Sequence, residues 1–332
     1  MISTIGLFAL AHLAQTAPLA GPPIRITTDS SQRAVIVEYR IADPPAAASH
    51  EHHGSHAAHV QRMVRFTSPI TGWFRAARLE MFDAAGTPIS QRSLHHFNLL
   101  NLSRRQLVHG GVERMFAAGQ ETEAIELPAG VGMPVSSDMT LGIVVAYDPS
   151  QLPPGSLVRL HLHWTPRNTT PRPVDIFPLP LDVNYAVGRS AAYDLPPGRS
   201  ERSHEFVMPI SGRMLGVGGH MHDYGVLLRL EEAETGKRVF ELRAKKDSTG
   251  KLISIPREVY GIAGRGRKLE GGRRYRVTAV YDNPTGAMIP LGGMGEIGIG
   301  FTPDDMDDWP PLLASDPDVA GDLAHLASFE DR

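Results

Sequence analysis

His220 and His222 stand two apart in Gly218-Gly219-His220-Met221-His222-Asp223-Tyr224-Gly225, between apolar, β-friendly runs at Phe206 to Val217 and Val226 to Leu230. On a strand, residues two apart share a face. Two imidazoles presented side by side are half of a first-row transition-metal site, and the glycines around them admit close approach of backbone or ligand. The plain alternative is a polar pair on a solvent face. His161 and His163 repeat the spacing in the run Leu157 to Trp164. His95 and His96 are adjacent instead, so on a regular strand they point to opposite faces and take one ion only where the strand bends or the rings use different nitrogens. His50, His52, His53, His56 and His59 follow Pro44-Pro45 in an Ala- and Ser-rich tract with no period, a loop able to collect metal loosely. The chain has no cysteine. Disulfides, Cys-ligated zinc, iron–sulfur clusters and thiol catalysis are therefore excluded, and any metal must use His, Met or carboxylates.

The elements that must position these residues are strands. Val35, Val37 and Tyr39 alternate with Ile36, Glu38 and Arg40; short apolar runs at Met63 to Phe82, Leu141 to Tyr147, Leu157 to Trp164, Arg238 to Leu242, Tyr275 to Tyr281 and Gly295 to Phe301 are separated by Gly- and Pro-rich turns. Almost nothing repeats at 3.6 residues, so the fold class is all-β, a sandwich or jelly roll. The 332 residues suffice for two domains. The Pro-rich segment 166–180 is the expected linker, between an N-terminal domain at 21–165 and a C-terminal domain at 181–303. The acidic tail 304–332 is expected to lack structure. Phe66-Thr67-Ser68-Pro69-Ile70-Thr71-Gly72 is echoed by Phe206-Val207-Met208-Pro209-Ile210-Ser211-Gly212, which points to an internal duplication.

Charge is nearly balanced, 33 Lys and Arg against 36 Asp and Glu, with no long basic patch. Neither nucleic acid nor an anionic membrane surface is an expected partner. Residues 1–20 carry an apolar run, small residues and Pro18 but no basic n-region. They are expected to act as a signal peptide, making the protein periplasmic or secreted. No later run reaches about 18 apolar residues, so no membrane span is expected.

His95-His96, then Leu127-Pro128-Ala129-Gly130-Val131-Gly132, then His220-Met221-His222, then Met294 in Gly292-Gly293-Met294-Gly295-Glu296-Ile297 together resemble the copper type II, ascorbate-dependent monooxygenases, the family of peptidylglycine α-hydroxylating monooxygenase and dopamine β-monooxygenase. The resemblance covers roughly Met63 to Phe301. It implies two tandem jelly-roll domains facing each other across a cleft, each with one copper. It also implies that His220, His222 and Met294 hold the catalytic copper and that His95 and His96 hold an electron-transfer copper. A bacterial-type member of the family would hydroxylate a C–H bond of a small-molecule or peptide substrate with O2, taking electrons from ascorbate or another one-electron donor. Two imidazoles and a thioether suit Cu(I), and Met288 is the rival thioether.

The family's third first-domain ligand falls on the strand that here reads Val144-Val145-Ala146-Tyr147, which has no histidine. His161 or His163 is the candidate replacement. If Leu141 to Tyr147 and Leu157 to Trp164 form a hairpin, their side chains lie about 5 Å apart. His163 is preferred because it precedes Trp164, as the family's ligand precedes an aromatic. Two coppers are then expected, or one if the first-domain site is lost. The alternative function is a non-catalytic exported copper-binding protein that keeps only the His-x-His and Met site. A metal-free interaction module is a third reading. A cupin would need an acid where Gly225 and Val226 stand, and a metallo-β-lactamase-like site Asp and His where Tyr224 and Gly225 stand.

Overall fold

The computed structural model of the chain describes residues 24–41, 60–91, 94–119, 124–147, 152–153, 155–185, 191–261 and 266–330. The expected signal peptide and the His50 to His59 tract lie outside them, as does the side chain of His95.

The first unit runs β1 (Ile24–Asp29), β2 (Ala34–Arg40), β3 (Val60–Thr67), β4 (Gly72–Phe82), β5 (Leu94–Arg105), β6 (Val112–Ala118), β7 (Ala124–Glu126), β8 (Val131–Val135), β9 (Thr140–Tyr147), β10 (Leu157–Pro166) and β11 (Val174–Asp175). The second runs β12 (Phe177–Asp182), β13 (Tyr193–Leu195), β14 (Gly198–Val207), β15 (Gly212–Met221), β16 (Gly225–Glu232), β17 (Arg238–Arg243), β18 (Lys245–Lys246), β19 (Leu252–Ser254), β20 (Glu258–Val259), β21 (Arg267–Leu269), β22 (Arg274–Asn283), β23 (Ile289–Gly293) and β24 (Gly295–Pro303). Among the described residues one helix, α1 (Pro317–Ala327), follows.

In the first unit β2-β10-β4-β8 form one sheet and β3-β9-β5-β6 the other. In the second unit β12-β24-β15, with β21 beside β15, face β14-β22-β16-β17. Counting β2, β3, β4, β5, β6, β8, β9 and β10 in the first unit, and β12, β14, β15, β16, β17, β21, β22 and β24 in the second, the first strand pairs with the eighth, the eighth with the third and the third with the sixth, while the other sheet joins second, seventh, fourth and fifth. This is the double-Greek-key order of a jelly roll, and both units have it. The echoed segments Phe66 to Gly72 and Phe206 to Gly212 occupy the same connection, from second to third strand, and in both the Phe and Ile are buried. Period-two alternation is the cause of the layering. Val35, Val37 and Tyr39 of β2 and Leu160 and Leu162 of β10 point into one core with Phe97, while Leu228, Val277 and Ile299 help fill the other.

The units are packed against each other at a seam built by the β5–β6 hairpin. Leu107 at its tip is fully buried in the core of the second unit, whereas Ile176 and Leu215 join the core of the first. The Tyr185 hydroxyl donates to the Gly110 carbonyl at 2.6 Å, and the Arg104 guanidinium stands 4.8 Å over the Phe177 ring.

Three sequence expectations are corrected here. The linker is shorter than 166–180, because β10 runs through Pro166 and β11 and β12 occupy much of the rest, β11 in parallel with β8. The tail is ordered rather than structureless. Trp309 donates its indole N–H to the Arg105 carbonyl at 3.0 Å, and α1 starts on an Asp316 cap with Pro317 in its first turn, the residue types that satisfy and tolerate unpaired N–H groups there. Val319, Asp322 and Leu326 turn inward, and Leu326 packs with Met63, Leu100, Val112 and Val144 of the first unit. Finally, β9 and β10 form no hairpin. β9 pairs with β3 and β5, and β10 with β2 and β4.

Asp322 fixes the helix by accepting two hydrogen bonds from Arg114, each 2.7 Å, and one from the Val112 N–H at 2.9 Å. Asp322 is buried but the Arg114 side chain keeps 31% of its surface in water, so losing the carboxylate removes charge-assisted bonds without fully burying an unpaired cation. Asp322→Ala is expected to cost about 1–3 kcal/mol, read as a lowered midpoint in chemical denaturation. A substitution that leaves the midpoint in place would show that the helix is not held through this pair.

Candidate functional site

His220 lies near the end of β15, and His222 just beyond it, in the turn that leads to β16. That turn is tightly determined. The Gly225 N–H donates to the His222 carbonyl at 3.3 Å, Tyr224 takes a positive φ of 69°, and its N–H donates to the Gly250 carbonyl at 3.0 Å. Gly225 has no room for a side chain, since a Cβ there would meet Met221 Sδ at 2.9 Å. Met221 points into the core and is fully buried, so His220 and His222 on either side of it share the opposite face. Their ring centroids are 5.5 Å apart and the rings are nearly perpendicular, at 82°.

β24 runs antiparallel beside β15, with Gly295 opposite Met221 and Glu296 opposite His220. Gly295 fits because its backbone passes against Ala279, whose Cβ would be 2.5 Å from an added one. Continuing the register by one residue brings Met294 beside His222, and one hydroxyl ties the two together. Tyr281 Oη accepts from the His222 N–H and from the Met294 N–H, each at 3.0 Å, and donates to the Met294 carbonyl. Burial pushes this hydroxyl up to about 12, so it keeps the proton it donates. His220, His222, Met294 and Glu296 therefore occupy one face of one strand pair.

A row of polar groups continues across the sheet, since Asp182 of β12 pairs with Glu296 as Glu296 pairs with His220. Glu296 keeps part of its surface in water while its carboxyl end is enclosed. Burial raises that carboxyl above the usual range, and the charges of His220 and Arg114 pull it back. Burial also raises Asp182 to about 7, against the 2.7 Å hydrogen bond it accepts from the Asn184 N–H. His109, from the β5–β6 hairpin, closes the row from the first unit. Its Nε2 accepts from the Asp182 N–H at 3.2 Å, and its ring stacks on Tyr185 at 3.9 Å. Burial lowers His109 to about 3, so the imidazole is neutral and that nitrogen free to accept.

The first-domain candidates are not brought together. His96 pairs directly with Ala146. Phe97 and Leu99 point into the core, and Val144, two residues from Ala146, packs on the helix side, so His96 and Ala146 lie on the outer face of their sheet. His163 is exposed on the outer face of the opposite sheet, where His161 Nε2 is 2.8 Å from Glu80 Oε2. Packed sheets are about 10 Å apart, and these two side chains point away from each other. His163 therefore cannot share an ion with His96, contrary to the hairpin expectation. Met288 is exposed in the approach to β23. Among the described residues no group of three or more His, Asp or Glu is placed to hold a metal, a statement that does not cover a site with a thioether ligand. No helix among them is long and apolar enough to cross a membrane.

Glu296 stands two residues after Met294, so period two alone puts it on the face of Met294, and the pairing of β15 with β24 then brings it beside His220. Tyr281 and His109 gave no such signal, because their roles depend on contacts far along the chain.

No protein-family model matches the chain, and no curated protein matches it. Among solved structures it is similar to the major capsid protein P2 from bacteriophage PM2, at 10% identity over 74% of this chain and 96% of that one, with a TM-score of 0.38. It is also similar to the STIV MCP, at 7% identity over 76% and 98% with a TM-score of 0.34, and to PNGF-II, at 9% over 81% and 66% with a TM-score of 0.39. At these TM-scores none bears on function, and the jelly-roll assignment rests on the strand order above.

Two outcomes are expected. Tyr281→Phe removes the hydroxyl that joins His222 to Met294 and is expected to cost about 1–3 kcal/mol, measured by denaturation. The second concerns pH. The unfolded chain protonates His109 near 6.5 but the folded chain only near 3, so the unfolded state binds more protons between these values and stability falls as the pH drops through them. Asp182 acts in the opposite sense between 3.8 and about 7. His109→Gln, which can still accept the Asp182 N–H, is therefore expected to lose less stability than the wild type on acidification from pH 6.5. Equal losses would contradict the buried neutral imidazole.

Proposed function

We propose that the chain is a copper protein whose ion is held by His220, His222 and Met294, and that it acts as a copper-dependent monooxygenase on a C–H bond of a small-molecule or peptide substrate. The observation that supports this reading is the Tyr281 hydroxyl, which accepts from the backbone N–H groups of both His222 and Met294 and so keeps the two segments side by side. The donor set fits the metal. Two imidazoles and a thioether without thiolates favour Cu(I). With nitrogen–metal distances of roughly 2 Å, two ring centroids 5.5 Å apart lie within the span of imidazoles sharing one ion.

When bound, copper supplies the one-electron chemistry by which O2 is activated, with ascorbate or another one-electron reductant as donor. The chain's own residues supply the frame. β15 and β24 hold the two imidazoles and the thioether on one face, and buried Met221 with Gly225 fixes the turn between them. Tyr281 keeps the two ligand segments in register, and the enclosed carboxyl of Glu296 lies on the same face as His220.

A second reading is favoured by a specific observation. Ala146 stands opposite His96, and His163 is on the far sheet, so among the described residues neither position supplies the third ligand implied by the resemblance. A copper-binding protein with one ion and no turnover fits that arrangement. Copper stoichiometry with reductant-dependent O2 uptake separates the two. Two coppers with uptake support the enzyme, whereas one tight copper without uptake leaves the binder. Met294→Ala is expected to abolish tight Cu(I) binding with little loss of thermal stability, because a half-buried ligand contributes little to the core. Loss of Cu(I) binding in Met288→Ala but not in Met294→Ala would overturn the ligand assignment.

A further inference from the structure

The pairing of Glu296 with His220 has no place in the ligand set just described. The two are direct cross-strand partners on the face that carries His222 and Met294. Side chains directly opposite in an antiparallel pair have Cβ atoms about 5 Å apart, a distance a glutamate and an imidazole can close. On its other side Glu296 pairs along the backbone with Asp182 of β12. Asp182 is in turn anchored by the Asn184 N–H, and its own N–H donates to His109 of the first unit. Glu296 thus lies on β24 between β15 and β12, with the neighbouring jelly roll reaching the row through His109.

An imidazole offers a metal one nitrogen only if the proton sits on the other, and a carboxylate beside that other nitrogen fixes both the tautomer and the ring orientation. We propose that Glu296 is a positioning residue for His220, selecting the tautomer that presents a bare nitrogen to the face shared with His222 and Met294. It is not itself a ligand. The proposal deepens the copper reading and rests on it for its functional meaning, but its structural content is a property of the metal-free protein.

That property can be measured without copper. In the metal-free wild type at pH 8, above the ordinary imidazole range, the two 15N shifts of His220 in a long-range proton–nitrogen correlation spectrum are expected to report a single tautomer. In Glu296→Gln, which keeps the side-chain shape, a mixture is expected, and Glu296→Asp should restore the single form in part. Thermal melting of each variant checks folding. A structural role alone would lower the melting temperature and leave the 15N pattern unchanged. On adding copper, Glu296→Gln should bind Cu(I) about 10-fold or more weakly and shift the Cu(II) EPR hyperfine splitting. The same single tautomer in wild type and Glu296→Gln would overturn the proposal while leaving the copper reading intact. If the wild type binds no copper, the copper reading falls, and the tautomer pattern still decides whether Glu296 holds His220.

Discussion

The candidate site depends on the pairing of β15 with β24. In a jelly roll the third and eighth strands lie side by side however far apart they are in the chain, and this pairing turns two separate motifs into one surface. His220 and His222 arrive on β15 and the turn after it, and Met294 and Glu296 arrive at the head of β24. The register is strict because Met221, Val217, Ile297 and Ile299 on the reverse face are buried, and a slip of one residue would send the polar face into the core. Core packing therefore fixes the site geometry. Tyr281 adds the last restraint, since a strand pair alone leaves its ends free to splay.

The same sheet is also where the two units meet. Asp182 belongs to its edge strand and Leu107 enters the core behind it, so the β5–β6 hairpin of the first unit is part of the environment of the second. Arg114 links these layers, pairing with Asp322 of the helix while its charge reaches Glu296 and His109. Charges enclosed in this way interact more strongly than they would in water. The charge of Arg114 in the seam thus acts on Glu296 in the candidate site.

Much of the fold was legible in the sequence, because period-two alternation and Gly- and Pro-rich turns are local signals. Val35, Val37 and Tyr39 turned inward as their spacing implies, and Phe66 to Gly72 and Phe206 to Gly212 proved to be matching connections. What was not legible was strand order. Neighbours in sequence usually pair, and that habit makes β9 and β10 look like a hairpin, yet a jelly roll sends its last two strands to opposite sheets. The position of His163 was lost with that step. In the candidate site, the His220 and His222 face followed from spacing alone, and the same rule puts Glu296 on the face of Met294. Tyr281 and His109 were not, since each acts through backbone groups distant in the chain. The helix was obscured by acidic composition, although Asp316-Pro317 and the spacing of Val319, Leu323 and Leu326 carry its start and its apolar stripe.

The docking of α1 also dictates an order of events as the chain is made. Met63, Leu100 and Val144 are synthesised early and form an apolar patch on the outer face of the first unit, but Leu326, which covers it, follows the whole second unit in the chain. A nascent first unit therefore carries a bare hydrophobic surface for the whole time needed to make the second. Such surfaces recruit holding chaperones or self-associate. Chains that stop before residue 317 keep that surface permanently.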